Sequence, residues 1–142
     1  MLPELIDEFY NKLAINFYRN AIEHQKFEGV STLSSTDMST LEIVYLLNRP
    51  TYSEVTDFLK ISTSNANYRI NKLITKGYLK REQDPTDKRR YFLNVTEKFM
   101  DYYCVNDSLL EQVVKNVRNR VRKEDLEQFE STLAIIIEEM SD

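Results

Sequence analysis

One helix-length stretch, Ser62-Thr63-Ser64-Asn65-Ala66-Asn67-Tyr68-Arg69-Ile70-Asn71-Lys72-Leu73-Ile74-Thr75-Lys76, carries hydroxyls and amides near its start and cations towards its end. Side chains of these types recognise hydrogen-bonding edges and anions; they do not break bonds. An amide offers one donor and one acceptor, which suits the edge of an adenine, while Lys and Arg suit phosphates. Further along, Asp87-Lys88-Arg89-Arg90 places three consecutive cations where Asp84-Pro85-Thr86-Asp87 reads as a turn. A polar helix face is more often merely solvated, and a charged hairpin tip is common. A solvated face, however, usually mixes Glu with Lys, and residues 61–81 contain no acid at all. That absence favours a surface built to approach a polyanion.

Other chemistries find little material. His24 is the only histidine and Cys104 the only cysteine, which removes intrachain disulfides, Cys-rich zinc sites and His-based catalysis. There is no phosphate-binding glycine loop, no nucleophile with a base and orienter, and no metal-ligand spacing, so neither an enzyme nor a cofactor or metal is expected. Cys104, between Tyr103 and Val105 with Asp101 and Asp107 nearby, reads as an inert buried thiol rather than a redox sensor. The net charge of −4 hides an uneven distribution. From Arg49 to Lys98 the balance is +5, and the remaining residues carry −9. A basic middle between acidic flanks suits a DNA-reading module on scaffold helices.

The elements that must position these residues follow from periodicity. With Ala66 inward and 100° per residue, Ile70 and Leu73 join it on a buried stripe, and Ser64, Asn65, Tyr68, Asn71, Lys72 and Thr75 fall opposite. Ser62 is the expected N-cap of a helix from 63 to 76, and Gly77 the left-handed residue that ends it. The first turn would present Ser64, Asn65 and Tyr68 to bases, leaving Lys72, Arg69 and Lys76 for phosphates. Tyr78–Gln83 and Tyr91–Val95 read as the strands of a basic wing over 84–90, with Asp87 expected to hold Arg89 or Arg90 in a fork-type pair. Before this unit, Asp37 or Thr36 is expected to cap a helix burying Leu41, Val44, Tyr45 and Leu47. An extended Thr51-Tyr52 then leads to Ser53, which caps a helix carrying Val55, Phe58 and Leu59.

The flanks are helical. Leu2, Leu5, Ile6, Phe9, Leu13 and Phe17 make one long amphipathic helix ending near His24 to Phe27, followed by a loop at Glu28–Ser35. A helix opening at Thr96-Glu97 is expected to run to about Val117, with a break under Arg118–Lys123. A last helix carries Leu126, Phe129, Leu133, Ile136, Ile137 and Met140 at coiled-coil spacing. The N-terminal acids argue against a secretory signal, and no apolar run is long enough to span a membrane, so a cytoplasmic protein is expected.

The turn Leu59-Lys60-Ile61-Ser62, the helix start Ser62-Thr63-Ser64, Leu73 with Lys76-Gly77-Tyr78-Leu79, the wing Asp84–Arg90 and the close Leu93–Lys98 together resemble the MarR family of bacterial winged helix-turn-helix regulators. The strong match covers residues 41–98, and the Asp-x-Arg of the family's wing falls on Asp87 and Arg89. The sequence departs at Asn67 and Tyr68, where the family often has a basic residue or threonine, and at Phe99, where a glycine is common. The resemblance implies a mainly α fold with a small β-wing: a winged-helix region over 35–97, between an N-terminal dimerisation helix and loop (1–34) and C-terminal dimerisation helices (98–142). It also implies a homodimer, a repressor, on a pseudo-palindromic operator of double-stranded DNA, associated with the nucleoid when bound. Ser62, Ser64, Asn65, Asn67 and Tyr68 would meet the major groove and Arg89 the minor groove. With the flanking caps and cations, the expected DNA-facing set also includes Ser53, Thr63, Arg69, Lys72, Asp87, Lys88 and Arg90.

Leu5, Phe9 and Leu13 with Leu126, Phe129, Leu133, Ile136 and Ile137 would form the dimer core, because a winged helix of about 60 residues buries its own core and leaves these helices needing a partner. A dimer would set the two reading helices ~34 Å apart, one turn of DNA. Tyr10, Phe17, Tyr18 and Tyr45 could line a pocket for a small amphipathic or phenolic effector. The other reading of the same rings is core and interface packing, which is the commoner use of aromatics.

Overall fold

The computed structural model describes residues 1–27, 33–103 and 107–141. They fall into two units, Met1–Cys104 and Val105–Asp142. The first holds α1 (Leu2–Phe27), α2 (Ser35–Leu46), α3 (Tyr52–Leu59), α4 (Thr63–Thr75), β1 (Leu79–Gln83), β2 (Tyr91–Val95) and α5 (Glu97–Tyr103). The second holds α6 (Asp107–Arg118) and α7 (Lys123–Glu139). The fold is mainly α with a two-stranded wing, as the sequence predicts. Residues 28–32 of the expected loop, Cys104 and the stretch that would join α5 to α6 lie outside the described residues, as does the His24 side chain.

Hydroxyl caps set where the helices begin. At α2 the cap is Ser34, not Thr36 or Asp37. Ser34 Oγ accepts from the Asp37 N–H at 3.1 Å, and Asp37 Oδ2 accepts from the Ser34 N–H at 3.1 Å. At α3 the cap is Thr51, not Ser53. Its Oγ1 accepts from the Glu54 N–H, and Glu54 Oε2 accepts from the Thr51 N–H at 2.7 Å. Both are reciprocal capping boxes with the acid at the third helical position. Tyr52 is therefore helical rather than extended, and Ser53 lies inside the first turn. Ser62 caps α4 as expected, accepting from the Asn65 N–H at 3.2 Å.

Helix α4 ends in a Schellman turn. The Gly77 N–H donates to Ile74 O, the Tyr78 N–H donates to Leu73 O, and Gly77 has φ +81. A Cβ at Gly77 would meet only Lys98 Cδ, at an ordinary 3.9 Å. Gly77→Ala is therefore expected to cost about 1 kcal/mol from backbone conformation alone, read as a lower urea midpoint with an unchanged slope.

The core of the first unit gathers one to three side chains from every element but α1 among the described residues. Leu41 and Val44 come from α2, Val55 from α3, Ala66, Ile70 and Leu73 from α4, Leu79 and Leu93 from the strands, and Phe99 from α5. Phe99 is fully buried and anchors α5 to this core. Two residues expected in the core, Tyr45 and Leu47, are not buried, and neither is Phe58. Phe58 is 58% exposed, and Tyr45 and Leu47 lie at the helix edge. Helix α3 is only 8 residues long and has one buried position, Val55.

The wing strands pair antiparallel from Leu79↔Val95 to Gln83↔Tyr91, and Thr51 bridges to Phe92 beside them. The Leu93 N–H donates to Pro50 O at 2.8 Å, so the turn between α2 and α3 holds the wing by backbone. In that turn Asn48 and Arg49 both have positive φ. The Arg49 guanidinium lies 4.5 Å from the Phe92 ring centre and 3.0 Å from Glu82.

Large apolar side chains are exposed in each unit: Leu5 and Phe9 on α1, and Phe129, Leu133 and Ile137 on α7. Leu13, Leu126 and Ile136 are half-buried. In the second unit α6 shows Leu110, Val113, Val114 and Val117, and α7 has no buried residue among those described.

Candidate nucleic-acid interface

Burial of Ala66, Ile70 and Leu73 fixes the rotation of α4. It leaves Ser62, Thr63, Ser64, Asn65, Asn67, Tyr68, Asn71 and Thr75 exposed, with Tyr68 at 70%. The cations of this helix behave differently from expectation. Lys72 turns inward, its Nζ 3.0 and 3.2 Å from the two carboxylate oxygens of Asp37, and Lys76 Nζ lies 3.8 Å from the same group. Asp37 is almost wholly buried, and a buried carboxylate needs counter-charge more than a surface phosphate does. Arg69 is half-buried, and its Nε donates to Asn65 Oδ1 at 3.1 Å. Thus Lys72 and Lys76 are structural partners of α2, and Arg69 is a partner of its neighbour on α4.

At the wing tip, Asp87 does not make the expected fork with an arginine side chain. Its Oδ1 accepts the Arg89 backbone N–H at 3.0 Å, and its carbonyl accepts the Arg90 N–H. The adjacent turn is held by Asp84, whose Oδ1 accepts from both the N–H and the hydroxyl of Thr86 at 2.9 and 2.7 Å. Those two bonds, with the nearby Asp87 N–H and Arg90, hold the Asp84 carboxyl below its ordinary range against the opposing effect of burial. Arg90 pairs with Asp84 at 3.7 Å and lies 5.5 Å from the Phe92 ring centre. Arg89 is exposed and makes no ion pair among the described residues. Lys88 is exposed too, its carbonyl accepting from Gln83 Nε2.

Between α4 and the wing runs a groove of about 780 Å³. It is lined by Thr51, Tyr52, Ser53, Glu54, Thr56 and Asp57 from α3 and its cap, by Thr63, Asn67 and Asn71 of α4, and by Arg81, Arg89, Arg90 and Tyr91 of the wing. Tyr52 donates its hydroxyl to Asn71 Oδ1 at 3.1 Å. Arg81, Tyr91 and Tyr52 were not among the expected contacts. Strand alternation was the available signal: Arg81 follows the buried Leu79 on the same face of β1 and sits 5.0 Å from the Tyr91 ring centre. The arrangement offers hydroxyls, amides and arginines to a long anionic ligand, with the carboxylates of Glu54 and Asp57 confined to the α3 side. It contains no nucleophile–base pair, and no cluster of metal-ligating side chains occurs among the described residues.

Residues 33–98 match the family model of the winged helix DNA-binding domain. Transcriptional regulator Tm0710 of Thermotoga maritima superimposes with a TM-score of 0.59 at 19% identity, over 98% of this chain and 93% of that one. A mutant of MarR from E. coli, in complex with operator DNA, superimposes with a TM-score of 0.51 at 15% identity, over 95% and 92%. The chain is a winged-helix protein with a MarR-type fold. An HTH-type transcriptional regulator of Bacillus subtilis, YkoM, is 31% identical over 99 residues, 63% of each chain. The match therefore spans just under two thirds of that relative's length.

The aromatic residues of this winged-helix protein cluster where α1, α2 and α5 meet. Phe17 lies 5.6 Å and Tyr45 4.8 Å, centre to centre, from Tyr103, which stacks on Phe99 at 5.2 Å. Tyr18 packs edge-on against Phe17 at 5.5 Å but is otherwise exposed. Tyr10 is exposed and makes no ring contact among the described residues. Phe17 and Tyr45 thus both pack against Tyr103, and Tyr18 against Phe17. No helix of the described residues is long and apolar enough to cross a membrane.

Proposed function

We propose that this chain is a dimeric, sequence-specific transcriptional regulator, a repressor, acting in the cytoplasm. Helix α4 enters the major groove of a pseudo-palindromic operator and the wing enters the flanking minor groove. One observation carries this: the polar, acid-free face of α4 and a wing arginine with no ion pair among the described residues border the same groove. The name of the Bacillus relative and the operator complex of the E. coli relative support it. Dimerisation is supported by the apolar faces of α1 and of α6 and α7, which are too extensive for helices that stay in water. A small amphipathic effector that changes the spacing of the two heads would release the DNA.

Selection of random duplex DNA by the purified protein, with sedimentation and a salt series, tests the reading. The expected result is a particle of two 16.9 kDa chains, an enriched palindrome with half-sites about 10 bp apart, and affinity falling steeply with salt. A monomer with no enriched motif and salt-insensitive binding would instead fit a winged-helix module that binds protein.

A further inference from the structure

Lys72 and Lys76 are engaged within the protein, which restricts what the helix can read. Guanine presents two acceptors in the major groove and is met by two donors on Arg or Lys. Here Lys72 and Lys76 are held by Asp37, and Arg69 turns its Nε–H onto Asn65 while keeping its Nη donors. The exposed groups at the start of the helix are hydroxyls, amides and the Tyr68 ring. Adenine presents a donor beside an acceptor, which an amide matches in bidentate fashion, and thymine presents a methyl that packs on an apolar surface.

Asn65 is also oriented. Arg69 Nε–H can only donate, so its 3.1 Å bond to Asn65 Oδ1 defines which end of the amide is oxygen. The oxygen keeps a second lone pair and the NH2 keeps its donors, so the exposed amide offers adenine an acceptor and a donor side by side.

We propose that α4 reads an A·T-rich half-site, with Asn65 as the adenine reader, Arg69 as the positioning residue that sets its amide, and Tyr68 packing on a neighbouring thymine methyl. The wing favours the same composition, because the narrow minor groove of A-tracts attracts an inserted arginine such as Arg89. This inference rests on the proposed DNA-reading function and adds the sequence class that is read.

The test uses the full-length protein and the duplex enriched by random selection, with each enriched adenine replaced singly by 7-deazaadenine. One position should lose roughly tenfold or more in affinity for the native protein and lose nothing further in Asn65→Ala. Arg69→Ala should reduce discrimination of A over G at that same position while leaving the salt slope unchanged, and Arg69→Lys should restore part of it. A salt slope lowered by about one in Arg69→Ala would make Arg69 a phosphate contact and overturn its positioning role. Half-sites dominated by G, sensitive to 7-deazaguanine, would overturn the A·T reading while leaving sequence-specific DNA binding intact. Failure to bind any duplex would instead remove the proposed function, and this inference with it.

Discussion

Arg89→Ala is expected to weaken binding to the selected duplex by roughly 10- to 100-fold and to reduce the salt slope by about one, with the thermal midpoint unchanged. Three neighbouring cations occupy the wing tip, and the structure separates them. Arg90 is engaged by Asp84 and by the face of Phe92. Lys88 carries a point charge on a flexible stem and lacks the planar fork of arginine. Arg89 is exposed with no ion-pair partner among the described residues, while its backbone is held by Asp87. Its backbone is already ordered and no internal ion pair must first break, so insertion costs only the rotamer freedom of the side chain. Arg90→Ala is therefore expected to cost less affinity than Arg89→Ala, and to act partly by loosening the wing. Because Thr86 holds the Asp84 carboxyl below its usual range, the tip stays ordered above the ordinary carboxylate range and loosens only as pH falls through the depressed value. Equal affinities for the native protein and Arg89→Ala across the salt series would exclude a minor-groove role for this residue.

What the sequence made legible was what depends on neighbours in sequence. The spacing of Ala66, Ile70 and Leu73 dictated the rotation of α4, and Gly77 marked its end, because helical period and left-handed backbone are local properties. The caps were legible in kind but not in place. Ser34, Ser35, Thr36 and Asp37 are all competent caps, and the choice turns on which acid falls at the third helical position. Thr51-x-x-Glu54 carries the same signature, but the neighbouring Ser53 competes with it as a cap. The partners of Lys72 were illegible, since Asp37 lies 35 residues away and only packing of α2 against α4 brings them together. The role of Arg49 was equally hidden. It requires two successive positive-φ residues before Pro50, neither of them glycine, so that the guanidinium turns onto Phe92 and Glu82. Propensity disfavours that backbone, and the wing's own bonds to Pro50 and Thr51 compensate. Sequence reading therefore found the exposed polar face of α4 and missed the contacts that hold its lysines.

Asp37→Ala is expected to act on stability and on DNA binding in opposite directions. The carboxylate receives the Ser34 N–H at 3.1 Å and the Lys72 ammonium at 3.0 Å, with Lys76 at 3.8 Å. Its removal deletes half of a capping box and a charge-assisted bond, but Lys72 and Lys76 are 36% and 26% exposed and can turn to water, which offsets part of the loss. The net cost should be about 2–4 kcal/mol, read by urea unfolding, with Asp37→Asn intermediate. The pH dependence has a definite sign. Burial pushes the Asp37 carboxyl up, but the Lys72 ammonium and the Ser34 N–H and hydroxyl together hold it below its ordinary value. A depressed carboxyl stabilises the fold fully above the unfolded value and ceases to do so as pH falls through the folded one. Asp37→Asn should therefore flatten the acid limb of the stability profile. It should also free the ammonium groups of Lys72 and Lys76, so that affinity for random duplex rises and its salt dependence steepens. Discrimination between selected and random duplex should fall accordingly. An unchanged acid limb together with unchanged non-specific binding would mean that Lys72 and Lys76 do not depend on Asp37, and the sequestration of charge on α4 would lose its physical basis.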